Sequence, residues 1–383
     1  MRPLDVLVRL RGEGGRSPPC KCDRRVPQTI VVRCLYCLEE KAATAFNREH
    51  VLNEAFGTFD GNLVLRCVCR DCNDKFGRSF DRKIARDSIE SVERVRRGAL
   101  AFKDFKGEGL RTTTRVRFDR SGPLRGALGR YFPLSDGPGL ACVPRPQVGF
   151  SASGSSEIDW YPLDEIPGPS AVGVKLRLVT GDPYEIHVQG ASLVEAQRAL
   201  AARGYENLPT PIEQPAYSGP VQVQITFSVD SPELRAVTKM ALSYLAATRG
   251  APFALQPQFN EARRFVLTGD DPARPLVAPI VNPWVVRRES DGRRPDGHFI
   301  AVRSYKGQLV VAQVSLFLQL NYVVYLARGA FAVPVHLRSG HFFDRDRHLV
   351  SEIDPPPIHR IGSFPGPIPG APRFRRTGRS ARR

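Results

Sequence analysis

The 383-residue chain, 42% hydrophobic and 25% charged, has the composition of a globular protein with one large or two ordinary cores, and no run approaches the eighteen or so apolar residues of a membrane span. Its formal charge of +17 points to a polyanionic partner such as nucleic acid, although 47 arginines against nine lysines also fit a biased codon composition. The opening "MRPLDVLVRLRGEGG" is too short in apolar residues and too charged for a signal peptide, so a cytoplasmic, reducing setting is expected, in which eight cysteines favour metal binding over disulfides.

Residues 1–27 read as a flexible segment, because "GEGGRSPPCKC" supplies turn formers without apolar periodicity. A first strand is expected over residues 29–34, "TIVVRC". Beyond a pair of cysteine motifs, "SFDRKIARDSIESVERVRRG" reads as one helix, with Phe80, Ile84, Ile89, Val92 and Val95 along a stripe and Gly98 as its stop. The stretch 99–220 reads as irregular and rich in Gly, Pro and Ser. Within it "VKLRLV" and "YEIHVQ" alternate like strands about the turn "TGDP", and "SLVEAQRALAARG" reads as a helix ending at Gly204. Strict alternation from Val221 to Val229 predicts a half-buried strand. Ser231, Pro232 and Glu233 then start a helix on which Leu234, Val237, Ala241 and Leu245 share a face up to Gly250. A strand pair turning at Lys306 and Gly307 is expected in "HFIAVRSYKGQLVVAQVSLFLQLNYVVYLA". From residue 355 onward there are seven arginines and no acid, too little apolar content to fold. The reading is therefore α+β: a flexible start (1–27), a small module (28–98), a larger α+β region with antiparallel strands (99–355) and a disordered basic tail (356–383).

The module holds the chemistry. In "CLYCLEEKAATAFNREHVLNEAFGTFDGNLVLRCVCRDCNDKFG", Cys34 and Cys37 form one Cys-x-x-Cys pair and Cys69 and Cys72 a second. Four thiolates satisfy a tetrahedral Zn²⁺ with no position left for water or substrate, so such a zinc is structural, worth on the order of 10 kcal/mol of folding free energy. Between the pairs stand Glu49, His50 and Asn62, and Asn73 follows the last cysteine. Asn53 reads as a turn residue, and Cys20, Cys22, Cys67 and Cys142 as ordinary thiols. No other histidine shows metal spacing; His341, near Asp344 and Asp346, reads as part of a surface loop.

The order Cys-x-x-Cys, Glu-His-Val, Asn, Cys-x-x-Cys-Asn resembles the HNH endonuclease family, in its branch with four zinc-binding cysteines. The resemblance implies a zinc-stapled ββα-metal fold and hydrolysis of nucleic-acid phosphodiesters, most readily DNA, with one divalent ion, Mg²⁺ or Mn²⁺. On that resemblance His50 is the base that activates water, Asn62 orients its ring, and Glu49 and Asn73 offer hard oxygen ligands to the ion. Asn73 stands where many members carry histidine. Lys75, Arg78, Arg82 and Lys83 either contact phosphates or form a solvated helix face. The later apolar segments resemble the region often joined to such modules, as a recognition, sensing or scaffold unit. One such centre cuts one strand, so a double-strand break calls for a homodimer or two events. The rival readings are a noncatalytic zinc module that binds nucleic acid and a nuclease effector in phage defence or restriction.

Overall fold

The structure is a computed structural model that describes residues 31–105, 114–133, 140–176, 183–206, 208–215, 223–227, 231–270, 276–280, 295–305, 309–329 and 336–355. The expected flexible start with Cys20 and Cys22, the basic tail and the turn at Lys306 and Gly307 lie outside the described residues.

The chain opens with β1 (Val31–Arg33), paired antiparallel to β2 (Glu40–Ala42). The first cysteine pair makes the turn between them, where Leu38 takes φ 63°. Next, β3 (Glu49–His50) pairs antiparallel with β4 (Val64–Leu65), Glu49 opposite Leu65 and His50 opposite Val64. The helix α1 (Arg70–Phe76) starts at the second cysteine pair and runs into a single π turn, Gly77–Asp81, and then α2 (Arg82–Arg86).

The single helix expected up to Gly98 is in fact broken. Asp87 leaves helical geometry at φ −143°, and Ser88 starts α3 (Ile89–Arg96) with a reciprocal cap: its hydroxyl accepts from Ser91 N–H and its own N–H reaches Ser91 Oγ. That Ser-x-x-Ser pair satisfies two orphan donors and so makes a new start cheaper than continuation. The expected stripe is split accordingly. Phe80 and Ile84 enter the main core, whereas Val92 and Val95 pack with Phe105, Val116 and Tyr131.

The middle of the chain, expected to be largely irregular, forms two small sheets. Its elements in order are β5 (Thr114–Phe118), β6 (Leu128–Pro133), β7 (Leu140–Pro144), β8 (Gln147–Ala152), β9 (Asp159–Pro162), α4 (Pro169–Leu176), β10 (Tyr184–Gln189), α5 (Leu193–Ala201), β11 (Ile212–Glu213) and β12 (Val223–Phe227). One sheet runs β12-β5-β6-β7 and the other β11-β10-β8-β9, with the β10 and β11 pair parallel and the rest antiparallel. Residues 174–176, read as the start of a strand, belong to α4, whose first position is Pro169, a residue already preset for a helical first turn.

The last third begins with α6 (Ser231–Arg249), followed by α7 (Ala251–Ala254) and α8 (Asn260–Thr268). A six-stranded antiparallel sheet follows, built from β13 (Val277–Ile280), β14 (Gly297–Tyr305), β15 (Leu309–Leu316), β16 (Leu320–Arg328), β17 (Arg338–Asp344) and β18 (Leu349–Ile353) in the order β13-β16-β15-β14-β17-β18. Its β15 to β16 turn was not anticipated, because Phe317 and Leu318 both adopt φ 54° there without a glycine.

α6 lies between the N-terminal module and this sheet and is buried nearly all round. One apolar cluster joins Leu35, Tyr36, Phe76 and Phe80 of the module to Val237, Ala241 and Leu245 of α6 and to Ile300, Val314 and Val324 of the sheet. Each Leu, Ile, Val or Phe among them contributes roughly 1.5–3 kcal/mol by leaving water. His341 is on β17, not in a surface loop, and its Nδ1 lies 2.7 Å from the Tyr244 hydroxyl on α6.

Candidate active site

The four cysteines meet as the spacing demands. Their sulfurs lie within 4.8 Å of one another, with Cys34 to Cys72 at 3.9 Å and Cys37 to Cys69 at 3.8 Å. A tetrahedron with Zn–S bonds of about 2.3 Å has sulfur–sulfur edges of about 3.8 Å, so the set fits zinc. Electrostatics agree. The hydrogen bond from Cys72 draws the Cys34 thiol down to about 4, and the Cys69 N–H donates to the same sulfur from 3.4 Å, while burial pushes Cys37 up to about 12. Four thiolates this close need a divalent charge among them. Cys67 is buried but outside this set, as an ordinary thiol.

Tyr36, inside the first cysteine pair, ties the zinc knuckle to α6. Its hydroxyl donates to the Lys239 carbonyl at 3.1 Å and lies 2.8 Å from Ser243 Oγ, and its ring stands edge-on to Phe76 with centroids 4.9 Å apart.

His50 ends β3 with its ring held at both nitrogens. Asn62, just before β4, brings its side-chain amide to 3.0 Å from Nδ1, and Nε2 lies 3.1 Å from Glu54 Oε1. Asn62 Oδ1 is buried and has no hydrogen-bond partner among the described residues while Nδ2 faces the ring. As placed, Asn62 Nδ2–H donates to Nδ1 and Nε2–H donates to Glu54 Oε1; rotating the amide by half a turn would bring Oδ1 to Nδ1–H, and Nε2 is then the lone-pair nitrogen only once Glu54 has moved away. Glu54 was not singled out from the sequence. It opens a short 3₁₀ turn capped by Asn53, whose side chain accepts from Ala55 N–H at 2.8 Å, so Asn53 is the turn residue it was read as.

The loop linking His50 to Asn62 is anchored elsewhere. Phe56 and Phe59 insert beside His298, Phe317 and Phe343 of the large sheet, His298 Nε2 donates to the Phe56 carbonyl, and Asp60 exchanges backbone bonds with His348 and Val350.

A cleft of about 710 Å³ opens at this point, lined by Glu49, His50, Asn73 and Glu54 with Arg48, Arg82 and Arg86 at its mouth and Asp81 and Lys239 deeper. The structure thus brings Glu49, His50 and Asn73 to one cavity. Asn73 is held through Nδ2 by Asn47 Oδ1 at 3.0 Å and by the Arg48 carbonyl, so its amide oxygen is turned away from these acceptors. Glu49 is 4% exposed and its Oε1 lies 2.5 Å from Lys239 Nζ. Burial pushes its carboxyl up, against the pull of Lys239. Burial would also depress Lys239, but Asp81 and Glu49 outweigh it and hold the ammonium above the usual lysine range.

Of the four bases expected near phosphate, Arg82 lines the cleft. Lys75 donates to the Leu267 carbonyl at 3.1 Å, Arg78 to the Asp74 carbonyl at 3.2 Å, and Lys83 lies 3.7 Å from Glu233. Arg48 and Arg86 take the places at the cleft that sequence order did not reveal. Arg86 has a readable signal, since it falls one helical turn after Arg82. Lys239 has none, being 190 residues from Glu49 in the chain.

Residues 34–89 match the family model described as HNH endonuclease, over the segment whose motifs carried the resemblance. No curated protein and no solved structure matches the chain. At the level of the family, the match suggests nuclease activity and implies a nucleic-acid substrate. No described helix is long and apolar enough to cross a membrane.

Proposed function

We propose that the protein is a metal-dependent endonuclease that hydrolyses DNA phosphodiester bonds, with a zinc-stapled ββα core and one Mg²⁺ or Mn²⁺ as its catalytic ion. The observation that carries this is the joint position of His50, Glu49 and Asn73 on one cleft, with His50 oriented through Nδ1 by Asn62. Two short antiparallel strands followed by α1 support the ββα reading.

In this reading Arg48, Arg82 and Arg86 draw the backbone phosphates to the mouth of the cleft, and His50 Nε2 takes a proton from the attacking water. Asn62 holds the required tautomer once its amide oxygen faces Nδ1–H. Glu54, whose side chain is largely exposed, swings off Nε2 when substrate enters. Glu49 and Asn73 supply hard oxygen donors suited to Mg²⁺, which when bound would neutralise charge on a nonbridging phosphate oxygen and on the leaving oxyanion. One centre cuts one strand, so a double-strand break calls for a homodimer or a second event.

The direct test is plasmid cleavage with Mg²⁺ or Mn²⁺. His50→Ala is expected to lower the rate about 10²- to 10⁴-fold with its zinc retained; equal nicking by wild type and variant would overturn the assignment. A second reading, a noncatalytic zinc module that binds nucleic acid, draws on the ion pair that already engages Glu49. It predicts salt-sensitive binding without cleavage under any divalent ion. A role in phage defence or restriction predicts toxicity on expression that disappears in His50→Ala.

A further inference from the structure

Lys239 lies outside the segment matched by the family model. It projects from α6, on the C-terminal side of the molecule, and its ammonium is clamped between two carboxylates of the N-terminal module, Glu49 Oε1 at 2.5 Å and Asp81 Oδ2 at 2.6 Å. All three residues line the cleft of His50 and Asn73. Two carboxylates from different elements converging on one buried cation form a cation seat, and the seat keeps one negative charge when an ammonium fills it. A divalent ion in the ammonium's place would neutralise it.

Asp81 owes its place to the π turn. In an uninterrupted α-helix a residue eight positions beyond Asn73 would lie about 80° round the axis. The wider turn over Gly77–Asp81 advances each residue by about 80° in place of about 100°, which brings Asp81 back close to the line of Asn73, with Gly77 between them. The cleft lining agrees, taking Asn73, Gly77 and Asp81 from this helical segment. A Cβ placed on Gly77 would meet nothing within 4 Å, so there is open space on the side of Gly77 where a side chain would stand. Asp81 is 6% exposed, and its second oxygen, Oδ1, is buried without a hydrogen-bond partner among the described residues. An anionic oxygen left in that state is costly unless a cation takes it.

We infer that Asp81 is a further ligand of the divalent ion, and that Lys239 is a resident cation which the ion displaces from Glu49 and Asp81 as the site loads. This deepens the proposed metal-dependent reading of the cleft and rests on it. The consequence is that metal affinity is set by competition with an ammonium carried on α6, so the C-terminal region governs loading of a site it does not otherwise build.

The test is Mn²⁺ binding by calorimetry on the full-length, zinc-loaded protein, with melting measured with and without Mn²⁺. Zinc content is checked so that binding at the cysteines is not counted. Lys239→Met removes the competitor, and is expected to bind Mn²⁺ at least tenfold tighter and to gain a larger Mn²⁺-dependent rise in Tm than wild type. Asp81→Asn is expected to bind Mn²⁺ at least tenfold more weakly. Unchanged or weaker binding in Lys239→Met, or unchanged binding in Asp81→Asn, overturns the inference. Should Lys239→Met fail to fold without metal, Mn²⁺ restores it if the inference holds; a variant that stays unfolded at saturating Mn²⁺ refutes it. Mn²⁺ binding with these signs but no cleavage would refute the nuclease reading alone, whereas His50-dependent cleavage with unaltered Mn²⁺ binding in both variants would refute the exchange alone.

Discussion

On the proposed mechanism His50 acts as a base through Nε2, which requires its proton on Nδ1; the Asn62 amide, 3.0 Å from Nδ1, fixes that tautomer when its oxygen faces the ring. Asn62→Ala should therefore lower kcat about ten- to a hundredfold, the loss usual when the group orienting a functional imidazole is removed, with KM little changed in steady-state cleavage. His298 is the opposite kind of histidine. Nε2–H donates to the Phe56 carbonyl and Nδ1 accepts from Phe317 N–H, so both nitrogens are used by the neutral ring. Burial pushes its pKa down to about 3. A depressed folded-state pKa contributes stability that is fully present above the ordinary value of about 6.5 and is lost as pH falls toward 3, at up to about 1.4 kcal/mol per unit. Melting temperature should fall as pH drops from 7 to 5. His298→Asn should melt lower at pH 8 but lose less over that interval.

At the scale of elements, the zinc knuckles and the broken helix make separate predictions. The four sulfurs are spaced for one ion, so metal analysis should find one zinc per chain, and a strong chelator should unfold the module with loss of the helical signal from α1. Cys72→Ser should give the same result without chelator. Ser88→Ala removes the cap that starts α3 and should cost about 1 kcal/mol in urea unfolding. The break itself was visible as Ser88 and Ser91 at capping-box spacing, yet the continuous apolar stripe outweighed it. The π turn had no such signal, because a one-residue widening of a helix leaves composition and periodicity nearly intact.

For the whole molecule, the decisive fact is that one apolar cluster runs through the module, α6 and the six-stranded sheet. A fragment ending at residue 98 would expose Tyr36, Phe76 and Phe80 and leave Glu49 and Asp81 without Lys239. It should be insoluble or unfolded even with zinc, as judged by circular dichroism and gel filtration. The sequence by itself determined the clustering of the four cysteines, the strand over 223–227 and the helix over 231–249, because these are set by short-range spacing: two residues between thiols, alternation along a strand, a Ser-Pro-Glu helix start. Only the tertiary structure decided that Arg82, but not Lys75 or Lys83, lines the cleft, that Asp81 and Asn73 line it together, and that Lys239 reaches Glu49 across 190 residues. Those outcomes depend on which surfaces meet when the core closes, and a buried ion pair is stable only where packing removes water from both partners at once.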